Sequence, residues 1–150
     1  MTTKDDVVKA VQPLLAFLAT SPTEAALNAQ FPLSHPVMAA LRRLVREGVE
    51  ARTLAERDNG GVRFGRVAKA LEGGFSLDVV HMRGPGLGHT HPRGEFDLCF
   101  AVDGDPRFDG RPEGWVTYPP NSWHVPTVTG GAMDILYFLP GGEIRFEEAP

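Results

Sequence analysis

The sequence predicts a mainly β protein, a small antiparallel barrel carrying an N-terminal segment of about three helices. Two observations predict it. Apolar residues recur at helical spacing over the first third of the chain, and from Val62 onward short strand-like runs alternate with glycine- and proline-rich turns. With 150 residues, 42% of them hydrophobic and 23% charged, the chain has the size and make-up of a single globular domain with a sizeable core. The expected division is a helical cap over 1–52 and a β-barrel over 62–148.

Val7, Val8, Val11, Leu14, Leu15 and Leu18 share a helical stripe and predict a first helix from about Lys4 to Ala19, bent or split by Pro13. Ser21-Pro22-Thr23-Glu24 is a capping-box pattern with proline at the first helical position, so a short second helix follows. Ser34 caps a third, with Val37, Leu41, Leu44 and Val45 as its stripe, Gly48 as its stop and His35 structural near its start. Two such helices before a β segment also suit a winged helix. Arg42, Arg43 and Arg46 are balanced by Glu47 and Glu50, however, so no basic recognition helix exists and the helices are expected to cover one face of a sheet.

The strand candidates are Val62–Ala68, Phe75–Met82, Gly88–His91, Glu95–Val102, Trp115–Tyr118, Ser122–Val128, Met133–Leu139 and Glu143–Glu147. Turns are expected at Glu72-Gly73-Gly74, Gly84-Pro85-Gly86, Asp103-Gly104-Asp105-Pro106, Asp109-Gly110-Arg111-Pro112 and Pro140-Gly141-Gly142.

Bulk properties exclude several function classes. A net charge of −4 with no basic block argues against a nucleic-acid partner or an anionic membrane. The single Cys99 rules out an internal disulfide and any cysteine-based zinc site, and it suits a reducing cytoplasm. The apolar stripe from Val7 to Leu18 is interrupted by Lys9, Gln12 and Pro13, so it reads as neither a signal peptide nor a membrane span. The expected location is cytoplasmic.

The chemistry concentrates in His89-Thr90-His91-Pro92-Arg93-Gly94-Glu95 and in Pro119-Pro120-Asn121-Ser122-Trp123-His124. On a strand, His89 and His91 leave from the same face, and the Pro-Arg-Gly turn lets Glu95 return to the same point. Three imidazoles and a carboxylate form a donor set for one divalent ion, whether Zn, Fe, Mn, Ni or Co.

These segments resemble the two motifs of the cupin superfamily. In cupins the first supplies two histidines and a glutamate, and the second supplies a last histidine, to a metal inside a double-stranded β-helix barrel. The resemblance implies His89, His91, Glu95 and His124 as ligands. Asn121 stands in place of the usual turn glycine, and the glycine after the first motif arrives late, at Gly104. A narrower resemblance covers most of the chain. Arg63-Phe64-Gly65-Arg66-Val67, Gly74 to Val80, Asp105 to Gly110, Val125 to Gly131 and Leu136-Tyr137-Phe138-Leu139-Pro140 look like the small cupins of the 4-hydroxylaminobenzoate lyase family. That resemblance implies an enzyme of bacterial nitrobenzoate breakdown, converting 4-hydroxylaminobenzoate to protocatechuate with release of ammonia. The rival readings are an Fe(II) dioxygenase, an isomerase of a small molecule and a ligand-sensing cupin without catalysis.

Strand parity extends the site. If Glu95 faces inward, so do Asp97, Cys99 and Ala101, while Phe96, Leu98, Phe100 and Val102 face outward and need cover from the helices or from a second subunit in a homodimer. Asp97 is then either the catalytic acid–base partner of the centre or an orienting group for a ligand histidine. Cys99 is expected to be a buried filler. An aromatic carboxylate substrate calls for an arginine fork. Arg63 and Arg66 have opposite parity; Arg66, flanked on its own face by Phe64 and Ala68, is the favoured clamp and Arg93 its rival. Trp123 and Tyr137 are candidates for contacting the ring. His81 reads as structural.

Overall fold

The computed structural model describes residues 1–150 and opens with three helices, each started by a different cap. Helix α1 (Lys4–Leu18) begins at a reciprocal capping box, in which Thr3 Oγ1 accepts from Asp6 N at 3.2 Å and Asp6 Oδ2 accepts from Thr3 N at 2.8 Å. Pro13 does not split it. The ring lies on the exposed face, where water can satisfy the carbonyl of Lys9 that loses its helical donor. Helix α2 (Glu24–Gln30) starts two residues later than the capping-box pattern suggests. Thr23, not Ser21, accepts from Ala26 N at 3.1 Å, and Ser21 instead takes a positive φ of 54°. Helix α3 (Pro36–Ala51) is capped by His35 rather than Ser34, with Nδ1 accepting from Val37 N at 3.1 Å.

Gly48 does not end α3. It is a contact glycine, since a Cβ there would lie 2.4 Å from Leu54 Cδ1, and the helix stops at Arg52 in the left-handed region. The buried stripe of α3 is Met38, Leu41, Val45, Gly48 and Val49, rotated from the expected one so that Val37 and Leu44 are only half-buried.

Nine strands follow: β1 (Arg57–Asn59), β2 (Val62–Ala68), β3 (Phe75–Met82), β4 (His89–His91), β5 (Glu95–Phe108), β6 (Gly114–Tyr118), β7 (Ser122–His124), β8 (Val128–Pro140) and β9 (Arg145–Phe146). They form an antiparallel six-stranded sheet, β1-β2-β3-β8-β5-β6, and a three-stranded sheet, β7-β4-β9, the antiparallel barrel architecture expected from the sequence. Strand β1 was not expected, because its three exposed polar residues carry no alternation.

Asp103-Gly104-Asp105-Pro106 is not a turn. Strand β5 continues through it with register shifts against β8, and Gly104 pairs with Gly131, where a Cβ would lie 2.0 Å from the Asp103 carbonyl oxygen. The Ser122–Val128 run ends as a strand at His124, ahead of Pro126, and Glu143–Glu147 contributes only two paired residues.

The sheets have a dry side and a chemical side. Phe75, Leu77, Val79, Phe96, Leu98, Phe100, Leu136 and Phe138 alternate onto the outer face and merge with the stripes of α1 and α3 into one apolar cluster. The apolar face of β5 is thus covered within the chain, and the need for a partner subunit there disappears. Inside the barrel, Val80, Met82, Cys99, Val116, Ile135 and Tyr137 form a second, smaller cluster beside the histidines. No helix is long and apolar enough to cross a membrane.

Candidate metal centre

Sheet register assembles the site. In the β4–β7 pair, His89 lies opposite His124 and His91 opposite Ser122, so all four side chains leave from one face. The turn after β4 is closed by Gly94, at a φ of 89° and with its N–H on the His91 carbonyl, and it delivers Glu95 to the start of β5. Asn121 takes a φ of 63° and donates its N–H to the same His91 carbonyl at 2.7 Å, performing the glycine's task.

The three imidazoles form a nearly equilateral triangle, with ring centroids 4.6, 4.7 and 4.8 Å apart. Each ring is held from behind through Nδ1. His89 donates to the Leu87 carbonyl at 3.0 Å and His124 to Asp109 Oδ2 at 2.6 Å. His91 donates to Ser122 Oγ at 3.0 Å, whose own hydrogen goes to the Pro119 carbonyl at 2.6 Å. With Nδ1 protonated in every ring, the Nε2 lone pairs are left facing one another and Glu95.

Those Nε2 atoms and both Glu95 oxygens are buried and have no hydrogen-bond partner. Glu95 oxygens lie 3.0 Å from His91 Nε2, 3.7 Å from His124 Nε2 and 3.8 Å from His89 Nε2. The four donor atoms lie within 4.8 Å of one another, against roughly 3.0 to 3.4 Å for donors bound at ~2.1 Å to one ion, so a contraction of the cluster would seat a divalent cation. Donor type, orphaned lone pairs and oriented rings all fit a metal.

Electrostatics support the same picture. Burial pushes Glu95 toward protonation, but the close approach of the His124, His89 and His91 imidazoles outweighs it and holds the carboxylate well below its usual range. Asp97, fully buried beside it, is driven the other way by desolvation and by the Glu95 charge. His124 loses basicity through burial and regains more from Asp109 and Glu95, ending above an ordinary imidazole. Burial also pushes the Cys99 thiol up, which leaves it the inert filler expected of it.

Beside His89 opens a cavity of about 770 Å³, walled by Phe64, Val80 and Tyr137 and edged by Arg66 and Asp78. Arg66 does face this cavity, whereas Arg63 spends its guanidinium on the carbonyls of Val49 and Ala55. Two other residues expected at the substrate lie elsewhere. Arg93 is exposed near Glu143 at 3.9 Å, and Trp123 donates to the Glu147 carbonyl at 3.0 Å over a separate shallow groove. Asp97 sits in the barrel wall next to Glu95 and does not line the cavity. His81 pairs with Asp134 at 2.8 Å, away from the centre.

The family model described as 4-hydroxylaminobenzoate lyase (PnbB) matches residues 8–146. The chain belongs to the 4-hydroxylaminobenzoate lyase family. A 4-hydroxylaminobenzoate lyase from Nocardioides sp. (strain LMS-CY) is 30% identical, over 100% of this chain and 98% of that protein. Another, from Pseudomonas putida, is 32% identical over 49% of this chain and 44% of its own length. Among solved structures, an RmlC-like cupin protein from Ralstonia eutropha JMP134 is similar over 60% of this chain and 62% of that one, with 13% identity and a TM-score of 0.46. For this lyase-family chain, the residues that sequence reasoning missed are Asp109, Ser122 and the Leu87 carbonyl, which fix the rings, and Asp78, which meets Arg66.

Proposed function

We propose that this chain is an ammonia-releasing lyase that converts 4-hydroxylaminobenzoate and water to 3,4-dihydroxybenzoate and ammonia. Loss of the N–O bond reduces nitrogen while the ring gains oxygen, so the reaction balances without an external electron carrier. One observation carries the reading: three Nε2 lone pairs and a carboxylate converge, and the ring of His89 brings that centre to a cavity with aromatic walls and a guanidinium on its edge. A divalent ion held by His89, His91, Glu95 and His124 supplies Lewis acidity when bound.

The chain's own groups do the rest. Phe64 and Tyr137 flank a flat ring. Arg66 takes the substrate carboxylate, which leaves the hydroxylamino end toward His89. Asp97, fully buried next to Glu95 and absent from the cavity lining, acts through Glu95 and not on the substrate. The setting of this reading is breakdown of nitroaromatic acids in the cytoplasm.

The test is ammonia and dihydroxybenzoate formation from 4-hydroxylaminobenzoate by protein loaded in turn with Zn, Fe, Mn, Ni and Co. Turnover should appear with at least one ion and fall by at least about a hundredfold in His91→Ala. Oxygen uptake on a catechol with no ammonia from the hydroxylamine would instead assign the site to a dioxygenase.

A further inference from the structure

The six-stranded sheet lines up four polar side chains in register on its inner face. Arg66 pairs with Asp78, Asp78 with Tyr137, and Tyr137 with Asp97, across β2, β3, β8 and β5. Neighbouring strands are about 4.8 Å apart, so the row spans roughly 14 Å of backbone from Arg66 to the strand that carries Glu95. Arg66, Asp78 and Tyr137 line the same cavity as His89, and the row ends on the strand that carries Glu95.

The geometry at the Arg66 end is specific. Asp78 Oδ1 accepts from Arg66 Nε at 2.6 Å and Oδ2 accepts from Nη2 at 3.4 Å. Both contacts use the same edge of the guanidinium. A planar guanidinium has five N–H groups, and the remaining three, on Nη1 and the far side of Nη2, have no protein acceptor. They belong to a residue that lines the cavity. The charged side chains of that lining are Lys4, Arg57, Arg66 and Lys69 against Glu56 and Asp78, an excess of positive charge suited to an anionic ligand.

We propose that Asp78 is the positioning residue of a carboxylate site: it holds one edge of Arg66 and aims the free edge at the carboxylate of an aromatic acid whose para substituent faces His89. The identity of that acid rests on the lyase reading; the clamp itself does not. A carboxylate and a reacting group met at separate points of one cavity favour para over ortho substitution. Asp78 is itself an anion, so simple charge counting says that it repels the ligand. Positioning says the reverse, and the two are separable by sign.

The experiment is calorimetric binding of 4-aminobenzoate and its neutral isostere 4-aminobenzamide to the metal-loaded protein, in wild type, Asp78→Asn, Arg66→Ala and Arg66→Lys. Wild type should prefer the acid over the amide by at least about tenfold, the ratio expected of a charge-assisted bidentate contact. Asp78→Asn should shrink that preference several-fold, Arg66→Ala should abolish it, and Arg66→Lys should not restore it. In turnover, Asp78→Asn should raise KM more than it lowers kcat. A merely structural Asp78 would weaken both ligands equally, and a merely electrostatic one would give tighter acid binding in Asp78→Asn; either result overturns the proposal, as does a wild type without preference. Carboxylate preference without ammonia release would sink the lyase reading and leave the clamp standing. Ammonia release with an unchanged ratio in Asp78→Asn would do the opposite.

Discussion

On the outer face of the six-stranded sheet, Leu77, Leu98, Leu136 and Phe138 are fully buried in one apolar cluster with the helices. On the inner face, their chain neighbours Asp78, Asp97 and Tyr137 share the barrel with Glu95 and three imidazoles. The same strands thus run two economies of burial, one residue out of phase. Of the nine buried side-chain polar atoms without a partner, seven belong to His89, His91, Glu95, Asp97 and His124. A buried polar group left unsatisfied costs about 1–3 kcal/mol, so this concentration destabilises the metal-free barrel and is offset when the donors gain an ion. Stability comes from outside the sheet, and the chemistry occupies the inside at stability's expense.

If the two faces are separable in this way, substitutions on each should move different observables. Phe138→Ala, on the dry side, should cost about 3–5 kcal/mol in urea unfolding while the folded variant keeps wild-type metal affinity. A parallel loss of metal affinity would show that the faces are coupled. Asp109→Asn acts on the other side. Asn keeps an oxygen for the Thr127 N–H but presents an amide nitrogen where His124 and Tyr118 donate. Metal affinity, read by chelator competition, should fall about 10- to 100-fold, as expected when a ligand histidine loses its orienting partner. The smallest effect belongs to neither face: Arg93→Ala, at an exposed pair with Glu143, should change stability by no more than about 0.5 kcal/mol and leave turnover unaltered. A large loss of turnover would return Arg93 to the site.

Much of this division was legible beforehand, because it rests on period-two alternation. Glu95 with Asp97 and Cys99 facing in, and Phe96, Leu98 and Phe100 facing out, follow from parity alone. So does the shared face of His89 and His91. Where several competent residues stand side by side, the sequence does not choose between them. Thr23 replaced Ser21 as a cap, and His35 replaced Ser34, because tertiary packing fixes which residue becomes the boundary. Asp103 to Pro106 carries turn residues but lies in a bulged strand, since Gly104 and Gly131 approach each other too closely for any side chain. Asp109 was hidden for another reason: it reads as half of an Asp-Gly turn, and nothing local ties residue 109 to residue 124 across the barrel. Arg93 and Trp123 were drawn in by nearness to the ligands along the chain, which the register then separated from nearness in space.

Titration of metal-stripped protein with a divalent ion, followed by calorimetry, bears most directly on the inner face. One ion should bind per chain in wild type, and binding should be lost in His91→Ala while circular dichroism shows the fold intact. Undiminished uptake by the folded His91→Ala variant, or none of the five candidate ions binding wild type, would contradict the assignment of those four side chains as a metal site.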